Sequence, residues 1–521
     1  MRRMRKLIAI GCSVFICHLA VAAGKASHVI LMVWDGMRPD FVSKENTPTL
    51  FEMSRQGVTF LHHHPVYVSS TEVNGTALAT GVYPAQSTII ANDEFRPSID
   101  SQGPIETQSL RAVRKGDALS HNHYLAFPTV SEILHENGLR TVVTGTKPVA
   151  LLHDRAARDD GAFGVTLFAG ETLPADAKRE LVAALGPFPS GGATQTNADQ
   201  WTTSALTSQL WKNGVPPFSL LWLAEPDYSQ HKAGPGAADP LIAIKNCDNA
   251  LARVLQALKE KNAVDSTDVI VVSDHGFSTV QQVVDVAATL KSAGLRVFHK
   301  FPSNDPAPGD IMVVSDGGVV LCYVTRHEER QTEEAVHCLQ AQPYSGVIFT
   351  QKAIAGTFPL AEAHMDSAYA PDIVVVMRWK PDANKYGVPG MIYCDRDYGI
   401  PNKGSHSTLS PSEMHNTGVA FGPDFVRGMS DTMPTGNIDI APTILWILGV
   451  QPKQKMSGRV LTEALNASAP PAGAVKSHHE EATWQGDGFV WRQYLDISEV
   501  NGVTYLDQGN GSQQTAQSAS K

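Results

Sequence analysis

Short unbroken apolar runs alternate along this chain with segments whose apolar residues return every three or four positions. The runs Val29–Trp34 and Thr141–Thr144 read as strands, and Thr47–Gln56 and Thr129–Asn137 as amphipathic helices. Continuous Val, Ile and Leu stretches suit strands buried on both faces, the mark of a parallel sheet covered by helices. Phe218–Leu223 and Asp268–Val272 repeat the pattern further on. Between them Leu241–Lys261, apolar at Leu241, Ile244, Leu251, Val254, Leu255 and Leu258, predicts a long crossover helix. Gly186–Thr196, rich in Gly, Pro, Ser and Thr, reads as a loop before a helix over Trp201–Trp211. The expected fold class is α/β, with a mostly parallel central sheet and helices on both faces.

Three of the apolar runs lead into a carboxylate: Asp35, Asp227 and Asp274. In a parallel sheet the ligand site lies at the carboxyl edge of the strands, so these aspartates are predicted to share one rim. Carboxylates crowded there would repel one another and shift toward neutral, and a bound cation is the simplest reason to gather them. His231, four residues after Asp227 on the loop beyond its strand, joins His275 and His406 as candidate donors. An Asp/His mixture leans to zinc, and six ligands are too many for one tetrahedral ion but suit two. Paired ions of this kind stabilise the attacking and leaving oxygens of phosphoryl transfer. Ser69-Ser70-Thr71 supply hydroxyls just ahead of a short helical stretch that ends at Gly81, where the positive end of the helix dipole helps a nucleophile ionise.

About 130 residues separate Asp274-His275 from Gly404-Ser405-His406. They hold the strand-like Val319–Val324, the helical Glu333–Gln342 and the strand-like Asp372–Met377, which predicts a smaller inserted α+β lobe at about residues 295–400. Gly436–Gly449 reads as a capped helix closed by glycine. The expected division is a leader over residues 1–23, a catalytic domain over 24–466 and a C-terminal region over 467–521. That last region comprises a linker at Pro470–Lys476, a β-hairpin over Phe489–Tyr505 and a disordered Gly/Ser/Gln-rich tail from Gln508.

A formal charge of −10 over 521 residues offers no basic field and argues against nucleic acid as a partner. Met1-Arg2-Arg3-Met4-Arg5-Lys6, then the apolar Leu7–Ala23 with Ala20-Val21-Ala22, reads as a secretory signal peptide and implies a periplasmic or secreted protein. An uncleaved membrane anchor is the alternative. His18, Cys12 and Cys17 dilute the stretch, however, and favour cleavage with no stable membrane insertion afterwards. Cleavage leaves Cys247, Cys322, Cys338 and Cys394, too few for a disulfide scaffold. Cys322 and Cys338 either form one bridge or remain free thiols.

The motifs also resemble a known family. Trp34-Asp35-Gly36, Thr71 with Leu78-Ala79-Thr80-Gly81-Val82-Tyr83-Pro84, and Ile89-Ile90-Ala91-Asn92 are similar to the first block of the alkaline phosphatase superfamily. Glu225-Pro226-Asp227 with His231 and Gly234-Pro235, Ser273-Asp274-His275-Gly276, Gly404-Ser405-His406 and Asn437–Ile444 resemble its later blocks. The branch they resemble is that of the type I nucleotide pyrophosphatase/phosphodiesterases, from about residue 28 to 462 and in the family's order. The resemblance implies an alkaline-phosphatase-like three-layer sandwich and two Zn2+ per chain. Asp227, His231 and His406 would hold one, and Asp35, Asp274 and His275 the other. It implies Thr71 as the bridging nucleophile and Asn92 as a hydrogen-bond donor to a non-bridging phosphoryl oxygen. The implied substrates are small phosphodiesters or pyrophosphates, cleaved through a phospho-threonine with net retention at phosphorus.

Departures from the family pattern bear on substrate. Nucleotide-cleaving members carry an aromatic residue directly after the nucleophile, where it can stack on a base, and this chain has Glu72. Lys147 resembles the lysine of a Lys-x-Arg clamp found in threonine-using phosphomonoesterases, but Val149 replaces the arginine. Lys147 therefore reads equally as half a clamp or as an ordinary solvated lysine. Phosphodiester chemistry ranks first because Glu225-Pro226-Asp227 and Gly234-Pro235 look most like the diesterase branch, with a phosphomonoesterase as the alternative. A sulfatase would need Cys/Ser-x-Pro-x-Arg, which Thr71-Glu-Val-Asn-Gly75 lacks. A non-catalytic metal-binding homologue would have lost a ligand or the nucleophile, and none is missing. His62-His63-His64 reads as a strand or loop entering the site, not as ligands, since consecutive extended residues face opposite ways. Trp222 reads as core alone, and His121, His123, His153, His478 and His479 as surface or loop residues.

Overall fold

The structure is a computed structural model that describes residues 24–156, 161–466 and 473–515. The leader expected over residues 1–23, part of the linker and the last six residues of the tail lie outside the described residues. A nine-stranded sheet runs in the order Met429–Gly436, Val58–His64, Gly418–Phe421, Thr267–Val272, His28–Trp34, Phe218–Leu223, Thr141–Gly145, Gly164–Phe168, Glu171–Leu173. Its central strands pair in parallel, while Gly418–Phe421 and Glu171–Leu173 run antiparallel to their neighbours.

The strand His28–Trp34 shows why this is a three-layer sandwich. Val29, Leu31 and Val33 enter one apolar cluster and Ile30, Met32 and Trp34 another, on opposite faces. Helices must therefore cover both sides. The crossover helix Ala238–Glu260 fills one face through Ile244, Leu251, Val254 and Leu258. Thr71–Thr80 and Ile440–Ile447 fill the other through Val73, Leu78 and Ile444. The expected α/β layering is what the chain adopts.

A six-stranded sheet, in the order Val297–Phe298, Ile311–Ser315, Val319–Val324, Ile373–Met377, Ser345–Thr350, Phe358–Pro359, stands beside the main one. Val286–Ser292 and Glu329–Gln340 pack against it through Val286, Leu290, Val336 and Leu339. A four-stranded sheet, invisible in the sequence pattern, joins Trp379–Ala383, Pro389–Asp395, Ser278–Val284 and the two-residue strand Gly404–Ser405. Gly404–Ser405 lies antiparallel to Ser278–Thr279, so the segments carrying His275 and His406 are hydrogen-bonded together.

The C-terminal region departs in part from expectation. Phe489–Val500 and Val503–Thr515 pair as an antiparallel hairpin, but Lys476–Gly486 adds a third strand to it and residues 508–515, expected to be disordered, belong to its last strand. Glycines that suggested disorder serve close backbone approach instead. Gly509 N–H donates to Leu409 O (3.1 Å), and a Cβ on Gly511 would sit 1.9 Å from Gly346 O. Trp379 Nε1 donates to Gly509 O (2.7 Å) and Asn510 Nδ2 to Trp379 O (2.9 Å), so backbone polar groups there are satisfied. The four cysteines among the described residues are free, so Cys322 and Cys338 form no bridge.

Two expected outcomes follow from these contacts. Gly511→Ala should destabilise the fold by about 1–3 kcal/mol through overpacking against an unyielding carbonyl, read as a lower urea midpoint with faster proteolysis beyond residue 475. His153, read from sequence as a surface residue, is buried beside Trp222, and burial pushes its imidazole down to about 3. Unfolding restores a value near 6.5. As pH falls from there toward 3 the unfolded chain takes up a proton that the folded one refuses. His153 should therefore cost about 1.4 kcal/mol of stability per pH unit over that window and nothing above it. The acid limb of an unfolding series should be shallower in His153→Leu.

Candidate metal-dependent active site

Asp35 directly follows His28–Trp34, and Asp274 lies two residues beyond Thr267–Val272. Beyond Phe218–Leu223 the chain turns straight into the helix Asp227–Ala233. His231 is thus on that helix, one turn after Asp227, and not on the loop the sequence suggested. One turn brings the pair onto one face, with His231 Nε2 3.2 Å from Asp227 Oδ1. His406 Nε2 approaches the same oxygen at 3.7 Å. On the other side His275 Nε2 lies 3.8 Å from Asp35 Oδ1 and 3.3 Å from Asp274 Oδ2. Ligand atoms of Asp227, His231 and His406 form one compact group, and those of Asp35, Asp227 and His275 a second. Asp227 belongs to both; Asp274 touches the second through His275.

Each imidazole is oriented by its Nδ1. Nδ1 of His231, His275 and His406 faces a backbone carbonyl, those of Gly404 (3.1 Å), Gly276 (2.8 Å) and Ser69 (3.0 Å). A carbonyl can only accept, so Nδ1 carries a proton and Nε2 faces the rim. Burial keeps that nitrogen unprotonated at His275 and His406, while at His231, despite burial, Asp227 favours a second proton there that a metal would displace. This is the outer-shell arrangement of metal-bound histidine. Asp35 Oδ1, Asp227 Oδ1, Asp274 Oδ2 and His275 Nε2 are all buried without a hydrogen-bond partner among the described residues. Unpaired buried acceptors are costly. Converging oxygen and nitrogen lone pairs are the donor set a divalent metal satisfies, so the residues present fit such an ion.

Thr71 opens the helix Thr71–Thr80, which Gly81 ends in the left-handed conformation (φ 67°) with its N–H returned to Ala77 O. Lys147, just past Thr141–Gly145, donates to Thr71 Oγ1 (3.2 Å) and pairs with Asp35 Oδ2 (2.9 Å) and Asp227 Oδ2 (3.0 Å). It is no solvated lysine. Asn92 Oδ1 accepts the Glu72 N–H (3.0 Å), which leaves the donor end of that amide for another partner.

The charges are unequal. Burial, reinforced by Asp274, pushes the Asp35 carboxyl well above the usual range despite Lys147, and burial takes Asp274 up to about 7. Burial would raise Asp227 as well, but Lys147 and His231 beside it hold it well below the ordinary value. Burial keeps His275 and His406 low and therefore neutral, as ligands must be. Acidic groups outnumber the one ammonium that faces them.

The family model of type I phosphodiesterase / nucleotide pyrophosphatase matches residues 29–388. This chain belongs to that family. The match bears out the resemblance drawn from the motifs. Ectonucleotide pyrophosphatase/phosphodiesterase family member 7 of Rattus norvegicus is 23% identical over 282 residues, 53% of this chain and 54% of the relative. The match thus spans about half of that relative's length. The bis(5'-adenosyl)-triphosphatase of Mus musculus is 21% identical over 431 residues, 82% of this chain and 78% of the relative. Human ectonucleotide pyrophosphatase / phosphodiesterase 5 superposes with a TM-score of 0.58 at 16% identity, covering 84% of this chain and all of the other, which shows a shared fold.

Within this phosphodiesterase-family fold several positioning residues carried no legible sequence signal. Trp222, expected to be core alone, donates Nε1–H to Asp35 Oδ2 (2.8 Å). Asn74 Nδ2 bonds the carbonyls of Val66, Val68 and Ser70, and so fixes the turn that presents Thr71. Asn437 donates to Asn74 Oδ1 (3.1 Å) and to Asp274 O (2.8 Å), linking the nucleophile's turn to the ligand-bearing one. Asp199 receives the N–H groups of Ala224 and Glu225 ahead of Asp227. An asparagine inside a helix, a poor helix former with a side chain suited to backbone contacts, was the one available hint.

Because Asp227 alone belongs to both donor groups, Asp227→Asn is expected to release more bound metal from purified protein than Asp274→Asn. Metal analysis after gel filtration decides it, and equal losses would show that the two donor groups do not share that carboxylate.

Proposed function

We propose that this chain is an exported two-zinc phosphohydrolase that cleaves phosphodiester or pyrophosphate bonds in small phosphate esters through a phospho-threonine. Four buried, unpartnered donor atoms converging beside a threonine at a helix N-terminus carry the reading. Asp227, His231 and His406 would hold one ion and Asp35, Asp274 and His275 the other, with Asp227 near enough to contribute to both. Zinc there supplies charge stabilisation for the attacking and leaving oxygens.

The chain's own residues do the rest. Thr71 Oγ1 attacks phosphorus, and the leaving alcohol or phosphate departs opposite. Water then displaces Oγ1 from the same phosphorus, which gives two inversions and net retention. Lys147 Nζ, within 3.2 Å of Oγ1, stabilises the oxygen as it loses its proton. Asn92, held by Glu72 N–H and by its own N–H to Asp316 Oδ2 (3.3 Å), offers its amide to a non-bridging phosphoryl oxygen.

Two observations favour diester over monoester. Lys147 is already committed to Asp35 and Asp227, and Val149 brings no second cation, so little charge remains for a dianion. Glu72 is buried, and burial pushes its carboxyl well above the usual range with Asp316 adding to it. It therefore adds little repulsion toward an anion but gives no surface on which a base can stack. The murine phosphodiesterase 5 relative, in an inactive variant, is complexed with AMP, which supports a nucleotide-sized ester as a substrate class. The basic-then-apolar start of the chain supports export, and no described helix is long and apolar enough to cross a membrane.

With zinc added, kcat/KM on bis-p-nitrophenyl phosphate should exceed that on p-nitrophenyl phosphate by roughly tenfold or more, a margin of about 1.4 kcal/mol in barrier. The reverse order would make the chain a phosphomonoesterase. Thr71→Ala should lower turnover by on the order of 10³-fold or more while its metal content is unchanged. Undiminished hydrolysis in that variant would overturn the covalent route.

A further inference from the structure

A second convergence of histidine and carboxylate lies outside the active site, where the main sheet meets the C-terminal one. His64 ends the strand Val58–His64, His415 follows the short helix Pro411–Met414, and Asp507 belongs to Val503–Thr515. One ligand atom from each lies within 4.8 Å of the others, and the two imidazole centroids are 4.8 Å apart. His64 is fully buried, and Asp507 Oδ1 stands 2.9 Å from its Nε2.

The outer contacts fix what these rings present. His64 Nδ1 faces Thr435 O at 3.0 Å and His415 Nδ1 faces Pro411 O at 3.2 Å. Both carbonyls can only accept, so both Nδ1 atoms carry a proton, and Nε2 is the nitrogen each ring has left for a metal. His64 Nε2 and Asp507 Oδ1, 2.9 Å apart, form a hydrogen-bonded ion pair when a proton lies between them, and they are also the two atoms a metal ion would bridge in its place. Ser498 Oγ donates to Asp507 Oδ2 (2.8 Å) and anchors that carboxylate. Carbonyl-fixed Nδ1 protons, inward Nε2 atoms and an anchored carboxylate repeat the construction seen at the catalytic rim. Alternation along the strand, which separates His63 from its neighbours, puts His62 and His64 on one face. The exposed His62 ring lies 6.2 Å from that of His415 and stands outside the group of ligand atoms.

We infer that His64, His415 and Asp507, with water as the fourth ligand, form a separate zinc site that clamps the C-terminal sheet to the strand leading into the Thr71 turn. Two imidazoles and one carboxylate favour zinc over the harder cations. Nothing in this inference depends on the proposed hydrolysis.

Metal analysis of the full chain, stripped with chelator and re-equilibrated with Zn2+, tests it. His415→Gln and Asp507→Asn should each bind about one equivalent fewer than the unaltered protein, with hydrolysis at saturating zinc retained and a lower thermal midpoint. Should either variant fold poorly, the complementary experiment is Asp35→Asn combined with Asp227→Asn. That protein, disabled at the catalytic rim, should still hold about one equivalent, and Co2+ in its place should give the visible absorption of a four-coordinate site. Equal zinc content in the unaltered protein and the His415 and Asp507 variants, or no zinc on the rim-disabled protein, would overturn the inference and leave His64–Asp507 a protonated ion pair.

Discussion

Three aspartates buried at one edge of a parallel sheet, faced by a single ammonium, set the terms for the rest of this molecule. Two like charges about 4 Å apart repel by roughly 4 kcal/mol at the effective dielectric of a protein site. Lys147 neutralises part of this, since it pairs with both Asp35 and Asp227, yet Asp35 and Asp274 stay shifted toward neutral. An arrangement that costs this much without a cation is stabilised by one. Much of the surrounding architecture resists its collapse. The N–H groups of Gly36 and His275 hold Asp274 Oδ1, and Trp222 holds Asp35 from the core side.

The histidines divide into two kinds by where their Nδ1 protons go. His231, His275 and His406 give theirs to backbone carbonyls and turn Nε2 toward carboxylates. His64 and His415 give theirs to carbonyls in the same way. His63 is built differently, with Thr435 Oγ1 at one nitrogen and Asn437 Oδ1 at the other, and burial takes it down to about 3. His153 has no polar partner at Nε2 among the described residues and packs on Trp222. Burial alone therefore does not mark a ligand. The distinguishing feature is an Nε2 held against a carboxylate by a carbonyl behind the ring.

Much of this was legible in the chain because the determining signals are local. The strands before Asp35 and Asp274 read as unbroken apolar runs, since the sheet is covered on both faces. The crossover helix Ala238–Glu260 read from its periodicity, and Thr129 with Glu132 forms the capping box that opens Val130–Glu136. What the sequence pattern does not carry is non-local. Gly404–Ser405 is a strand only because Ser278–Thr279 lies beside it, and a two-residue segment carries no period. The tail from Gln508 looked disordered because its glycines offer no apolar side chain, whereas their value lies in letting Gly346 and Leu409 come close. Lys147 was ambiguous because its partners are remote in sequence.

The inserted strands do more than flank the catalytic rim, because their turn at Asp316–Gly318 is bonded into it. Asp316 Oδ2 accepts the N–H of Asn92, and Gly318 N–H donates to the carbonyl of His406 (2.8 Å). A Cβ on Gly318 would lie 2.5 Å from that carbonyl, so only glycine permits the approach. Movement of the insertion is thus transmitted at once to a candidate ligand and to the residue proposed to bind phosphoryl oxygen. Substrate contacts made by the inserted strands would alter the geometry of the reacting centre as well as the shape of the pocket, which gives binding energy far from phosphorus a route to the transition state.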